Sequence, residues 1–313
     1  MPRNAVHMTP DTPPSPTGAL RDARRRAILC VLGSALAFAL AAAAIKALGG
    51  TIPVAEVIVF RNLLALPLLL PMGLAQGGGW QVFRTRDPWG HAQRCAWGLL
   101  GMWGSFYGYA HLPLATVTAL NFTMPFFLTA LSIPLLGETV GPRRLAAVVA
   151  GFLGVVLVMR PWSGAQEAID LVAAGWVLAA AFGWAMAMIS IRRMGERGEP
   201  GVTIVLWFAV GAFAVSLLAA IPVWVWPSPQ EWALLLFVGL ISAVAQLMMT
   251  AAYRSGETTL IAPFEYSAIL WTTGLGAILW SELPDGWDAA GIAVLVGSGL
   301  YIWWREVRLG VRR

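Results

Sequence analysis

Apolar residues fall along this chain in ten blocks of roughly membrane-spanning length, separated by short polar breaks. The blocks run at approximately 27–48, 54–74, 91–110, 114–136, 143–159, 170–191, 202–224, 231–252, 258–280 and 287–304. About 20 residues at ~1.5 Å each cover the ~30 Å hydrocarbon core of a bilayer, so each block predicts one membrane-crossing helix. The blocks do not alternate apolar with polar residues, which excludes a β-barrel. Helix breakers mark the joints: Gly49-Gly50, Gly77 to Gly79, Gly137 with Gly141-Pro142, Pro161 with Gly164, Gly195 to Gly201, and Pro227 with Pro229. Residues 1–26 are polar and proline-rich, end in Arg24-Arg25-Arg26, and are expected to form a disordered cytoplasmic tail. The apolar run after them is longer than the core of a signal peptide and is retained as the first span.

The blocks also repeat. Sliding the sequence by 144 positions places Tyr109 on Tyr253, Asn121 on Glu265, Thr129 on Thr273, Leu135 on Leu279 and Glu138 on Glu282 without a gap. The chain therefore divides into five-span halves, 27–160 and 170–306. Five is odd, so the second half enters the membrane upside down. The expected fold is an all-α integral membrane protein, two inverted five-helix repeats with a site at their midplane interface.

Composition agrees: 58% of residues are hydrophobic and 12% charged, with a mean hydropathy of +0.70. No soluble fold hides that much apolar surface. The net charge of +5 does not signal nucleic acid, because the basic residues sit in short loops. With the amino terminus in the cytoplasm, 18 of the 21 Lys and Arg residues fall on that side. Either an odd number of spans or the opposite orientation destroys this bias, so both termini are expected to be cytoplasmic. Tryptophans Trp162, Trp224, Trp226 and Trp287 gather at predicted outer ends, as interfacial belts do. Cys30 and Cys95 build neither a disulfide nor a metal site, and His7, His91 and His111 have no ligand spacing. No cofactor or metal is expected.

The ninth span carries the sharpest chemical signal. Ile261–Glu282 is apolar yet contains Glu265, beside Tyr266 and just after Pro263. An ionisable group at that depth is costly unless it meets a wet cavity or a partner. Ala262, Glu265, Ile269, Thr272 and Gly276 share one helix face; Thr118, Asn121, Pro125 and Ser132 do so in the fourth span. The two faces coincide under the 144-residue shift and are expected to look onto one cavity. A neutral Glu265 bonded to a backbone carbonyl is the structural alternative.

Other polar positions carry two readings each. Arg61, seven residues into the second span, either snorkels outward as an anchor or pairs with Glu56 or Glu265. Gln246, in a stripe with Ser242, Met249 and Tyr253, binds substrate or bridges helices. Trp103, Trp184, Trp271, Tyr107 and Tyr266 lie nearest midplane and either stack on a flat or cationic substrate or simply pack. Glu138 and Glu282 end equivalent helices on opposite sides and read as caps or gates. Lys46 reads as an interface residue. Gly101, Gly104 and Gly108 form a seam for close helix approach, not a phosphate loop.

Phe60-Arg61, the Gly108–Ala110 run, and the spacing from Pro125 to Gly137-Glu138, set in ten duplicated spans, resemble the EamA-type transporters of the drug/metabolite transporter superfamily. The likeness covers residues 27–306 and is less faithful in the second half, where Ser281 replaces the glycine. It implies ten helices around a central substrate cavity. Ala262-Pro263 with Tyr266, and Glu282-Leu283-Pro284, look similar to transporters of S-adenosylmethionine and riboflavin. The expected function is secondary transport of a small polar or amphipathic metabolite across the cytoplasmic (inner) membrane of a bacterium. Alternating access, with proton coupling as an option, is the expected mechanism. The expected partners are that small-molecule substrate and membrane lipid, with a homodimer left open. The competing class, an intramembrane lipid-modifying transferase, needs a clustered nucleophile, base or metal set that the scattered histidines and isolated Glu265 do not supply.

Overall fold

The structure is a computed structural model that describes residues 16–76, 79–137, 140–160, 162, 170–255 and 263–309. Eleven α-helices have ranges among them, besides two short 3-10 helices, Gly79–Phe83 and Ile221–Val223. The first half holds α1 (Pro16–Ala47), α2 (Val54–Gln76), α3 (Pro88–His111), α4 (Leu114–Asn121), α5 (Met124–Leu136) and α6 (Pro142–Met159). The second holds α7 (Leu171–Glu196), α8 (Gly201–Ala220), α9 (Pro229–Ser255), α10 (Ser267–Trp280) and α11 (Gly286–Leu309). No strand occurs among the described residues.

Local chemistry sets many of the ends. Pro88 opens α3, and the Asp87 carboxylate accepts the Gly90 N–H at 3.0 Å. Asp170 caps α7 in the same way, taking the N–H groups of Val172 and Ala173. Gly137 closes α5 in the left-handed region at φ 66°. Ser281 closes α10 in that region at φ 57°, an unfavourable conformation for a residue with a Cβ.

The duplication is visible in these ends. The last residues of α2 and α8, of α3 and α9, and of α5 and α10, and the first residues of α6 and α11, all differ by 144. Equivalent helices run antiparallel. Gly73 of α2 lies against Leu206 of α8, whereas Ala55 at the other end of α2 clusters with Ala220. Likewise Gly154 of α6 meets Leu295 of α11, and Gly291 meets Val158. Inverted repeats give this arrangement. The halves interleave: α3 packs along α7, and its equivalent α9 packs along α1. Glycines permit the first contact, because a Cβ on Gly104 or Gly183 would overlap the carbonyls of Trp176 or Trp97.

Two spans differ from expectation. The fourth is not one helix over 114–136 but two, α4 and α5, hinged at Phe122 and Thr123. Pro125 has no N–H for the Asn121 carbonyl, and the Thr123 hydroxyl donates to the Leu120 carbonyl at 2.6 Å, so the helical ladder lapses there. The ninth, expected as one helix over 258–280, turns at Tyr266 before α10 begins. Tyr266 is the position equivalent to Phe122. The first helix also starts at Pro16, earlier than the tail's expected end at residue 26.

Six helical stretches are long and apolar enough to cross a membrane by length and composition, those of α1, α2, α4 with α5, α7, α8 and α9. The other four spans fall short for local reasons. The third and tenth are glycine-rich, the apolar run of α6 is only Leu145–Met159, and α10 is cut short by its turn. Contacts between helix ends nevertheless follow a ten-span alternation. On the N face, where α1 starts, Arg197 pairs with Asp87 and His91 with Glu199. On the opposite face, Lys46 pairs with Glu282, Arg160 with Asp285 and Asp288, and Thr51 donates to Glu231.

Candidate functional site

A cavity of about 370 Å³ lies among α2, α3, α7, α8 and α9. Its lining runs from Ile191 and Gly201, at N-face helix ends, to Arg61 and Ser242 nearer mid-span. Polar side chains come from both halves: Arg61, Asn62 and Arg94 from the first, Ser242 and Gln246 from the second. Trp184 forms one wall, its indole resting on Gly101, where a Cβ would overlap it. Pockets of about 300–1,000 Å³ with few polar groups in apolar walls are the usual form of small-molecule sites.

The two arginines have soft neighbours. Arg61 donates from Nη1 to the Met102 sulfur at 3.0 Å. The Arg94 guanidinium sits 3.9 Å from the centre of the Phe208 ring and lies across Gly98, where a Cβ would strike Nη1. Arg94 Nε and Nη1 are buried without hydrogen-bond partners. Asn62 spends its Nδ2 on the Ile58 carbonyl at 2.9 Å.

Three of the sequence-predicted residues, Arg61, Trp184 and Gln246, thus meet in one cavity. The rest are placed elsewhere. Asn121, at the end of α4, accepts the Ser105 hydroxyl at 3.2 Å. Tyr266 stacks on Phe122, and Glu265 sits half-buried beside it, outside the cavity lining. Tyr107 stacks on His111 at 4.1 Å. Trp103 packs into the apolar clusters nearer the opposite face, and Trp271 is exposed on the periphery. Ile269, Thr272 and Gly276 share a buried face of α10, but none of them lines this cavity, onto which that face was expected to look; Ala262 and Glu138 lie outside the described residues. A second, apolar groove of about 700 Å³ beside Tyr266, Leu270 and Ile292 suits acyl chains better than a polar cargo.

The alternative in which Arg61 pairs with Glu56 is not adopted, because Glu56 instead accepts the Val225 N–H at 3.1 Å. Sequence reasoning passed over Arg94, which counts as a loop charge in the orientation tally although it lies inside the 91–110 block; that position was the available signal. Lys46 is no mere interface residue: its Nζ lies 2.9 Å from Glu282 and 2.8 Å from the Leu112 carbonyl, joining α1 to the end of α10.

Ties at the two faces are held by ionised carboxylates. Hydrogen bonding from the Gly90 N–H first, then the Arg197 contact, keeps Asp87 below the usual carboxylate range against the effect of burial. For Glu199, burial pushes upward, but bonds from His91, Thr85 and the Arg86 backbone together hold it low. Asp285 is likewise low, because the backbone N–H groups of Asp288 and Trp287 and the Arg160 charge outweigh its burial.

The cavity lining and its counterparts in the other half are packed differently. Shifting its lining by 144 residues takes Gly201, Ile204, Arg94 and Gln246 to Val57, Phe60, Val238 and Met102. These four are buried together in one apolar cluster toward the opposite face, where Phe60 packs on Trp232 edge-on at 4.9 Å. Gly201 is exposed and Gln246 half-buried, whereas their counterparts Val57 and Met102 are fully packed; Arg61 with Val205, and Ala65 with Ala209, are equivalent pairs whose members both line the cavity.

The profile of the EamA-like transporter family matches residues 25–160 and again 171–304. The riboflavin transporter of Rhizobium johnstonii is 32% identical over 256 residues, 80% of this chain and 79% of that protein. The pseudopaline exporter of Pseudomonas aeruginosa is 31% identical, covering 86% of this chain and 92% of its own. The S-adenosylmethionine uptake transporter of Rickettsia prowazekii is 26% identical, covering 83% and 86%. A solved crystal structure superposes with a TM-score of 0.62 over 93% of this chain and 99% of its own, at 22% identity, a likeness of fold.

Proposed function

The chain belongs to the EamA-like transporter family, and from that premise we propose that its cargo passes through the cavity bounded by Arg61, Trp184 and Gln246 by alternating access. The protein is a multi-pass membrane transporter of a small metabolite. The observation that carries the mechanism is the asymmetry between equivalent surfaces, open around Gly201 and Gln246 and packed around their counterparts Val57 and Met102. Exchanging the two packings would close the N face and open the other, with the cargo's environment otherwise retained.

Phe122 and Tyr266, at the turns of two broken spans, sit where such a rocking motion needs compliance. Glu265, one residue from that turn, is the coupling group in this proposal, and Asn121 is its neutral counterpart in the other half. Proton uptake at Glu265 would bias the exchange between states. The cargo belongs to the polar or amphipathic organic class suggested by relatives named for riboflavin, S-adenosylmethionine and pseudopaline. The charge distribution supports a cytoplasmic-membrane location with both termini, and the open cavity, facing the cytoplasm.

Counterflow in proteoliposomes tests this. Vesicles preloaded with riboflavin, S-adenosylmethionine or single amino acids should show saturable exchange of at least one, and Trp184→Ala with Gln246→Ala should abolish it. Exchange that survives both changes would place the pathway elsewhere.

A further inference from the structure

Two guanidinium groups, Arg61 and Arg94, line the same small cavity, and among the described residues neither forms an ion pair. Their contacts are a thioether sulfur for Arg61 and an aromatic face for Arg94, whose Nε and Nη1 are buried without acceptors. Neither contact neutralises a charge. Both residues are half-buried; a cation held partly out of water without an anion is unfavourable, and two in one cavity repel as well. Elsewhere in the molecule arginines are treated differently: Arg160 and Arg197 each reach a carboxylate.

The surroundings hold Arg94 in place. Gly98 leaves the space its guanidinium occupies, and Phe208 covers one of its faces, so its edge is presented rather than coiled away. The walls of Trp184, Ile204, Val205 and Phe208 are apolar, and Asn62, Ser242 and Gln246 supply neutral polar groups. Under the 144-residue shift Arg61 and Arg94 become Val205 and Val238, so the charge belongs to one half only.

We propose that Arg61 and Arg94 form a subsite for the acidic head of the cargo, a carboxylate or phosphate, with its apolar or aromatic body against Trp184 and Phe208. The transported metabolite is then an amphipathic organic anion. This rests on the transporter assignment of the cavity. Guanidinium forks match both head groups, and the anion supplies the acceptors that Arg94 lacks.

The test needs no knowledge of the cargo. In the full chain, with Cys30 and Cys95 replaced by Ser and reconstituted in nanodiscs, Ser242→Cys puts a thiol on the cavity wall. Its labelling rate is compared for anionic sulfonatoethyl and cationic trimethylammonioethyl methanethiosulfonate. The arginines should favour the anionic reagent by at least about tenfold, because a charged cleft with low-dielectric walls concentrates counter-ions. Arg61→Gln and Arg94→Gln should each erode that preference, and Arg94→Lys should keep most of it, which separates charge from misfolding. Either 2-naphthoate or 2-naphthyl phosphate should slow labelling, the more effective one identifying the head group, whereas 2-naphthamide should not. Equal rates for the two reagents, or protection by the amide as good as by both acids, would overturn the anion subsite while leaving an aqueous cavity. Failure of both reagents to label would overturn the cavity assignment itself.

Discussion

Phe122 and Tyr266, equivalent residues of the two halves, stack on one another with ring centroids 4.5 Å apart and planes 28° from parallel. Each marks the turn in its broken span, so the two breaks of the inverted repeats touch across the pseudo-twofold relation. The Tyr266 hydroxyl lies against Gly299 of α11, where a Cβ would overlap it, so this glycine also fixes the ring. Stacked aromatic pairs contribute about 0.5–1.5 kcal/mol beyond their buried area. A double-mutant cycle on Phe122→Ala and Tyr266→Ala, read by unfolding in detergent, should return a coupling in that range, and Tyr266→Phe should preserve it. Additive losses would mean that the rings are neighbours without interaction.

Ser281 occupies the left-handed position that Gly137 occupies in the first half. Among the described residues its hydroxyl makes no hydrogen bond that offsets the backbone conformation. Ser281→Gly should therefore raise stability by up to about 1 kcal/mol, seen as a higher melting temperature with unchanged transport. A lower melting temperature would show that the hydroxyl contributes something the geometry does not reveal.

The ties at the two faces give a signed pH dependence. Asp87 and Asp285 both have depressed folded values. Their stabilisation is complete above the ordinary carboxylate range of about 4 and is lost as pH falls through the lower folded values. The melting temperature should be flat in this respect from about pH 8 to about pH 5 and then fall, and Arg160→Met should lower the plateau and flatten the acid limb. An Arg160→Met profile parallel to the parent's acid limb would remove the Asp285 tie from the account.

Glu265 is tested by substitution at matched membrane abundance. Glu265→Gln should insert normally, retain exchange and lose the pH dependence of initial transport rates, whereas Glu265→Asp should keep part of it. Full rates with an unchanged pH profile in Glu265→Gln would take this residue out of the mechanism.

Much of this architecture is written locally, and those parts were legible. Apolar blocks and their breakers locate helices wherever the chain must leave the membrane, which is why helix ends recur at a spacing of 144. The turn at Phe122 was not legible, because hydrophobic periodicity does not register a mid-span break in which every residue stays buried or half-buried. Lys46 and Glu282 are far apart in sequence, so only the packed structure reveals their ion pair. Arg94 was hidden by its neighbourhood: a basic residue near a helix end looks like a loop charge until Phe208 is seen to cover it. The shared cavity of Arg61, Trp184 and Gln246 likewise needs three helices in register, which no single stretch encodes.

The central claim is that one pair of surfaces opens as its equivalent closes. Gln246 lines the cavity and is half-buried, and Met102, its counterpart under the 144-residue shift, is fully buried in the closed cluster. In nanodiscs, with the native cysteines replaced, Gln246→Cys should react with a hydrophilic maleimide at least about tenfold faster than Met102→Cys, since the alternative state is a minority. Lys46→Met cuts the ion pair and the Leu112 contact that tie the closed face, and should shift the balance: faster labelling at Met102→Cys together with slower labelling at Gln246→Cys. Rates that rise together, or a Met102→Cys rate that changes while Gln246→Cys does not, would contradict alternating access through this cavity.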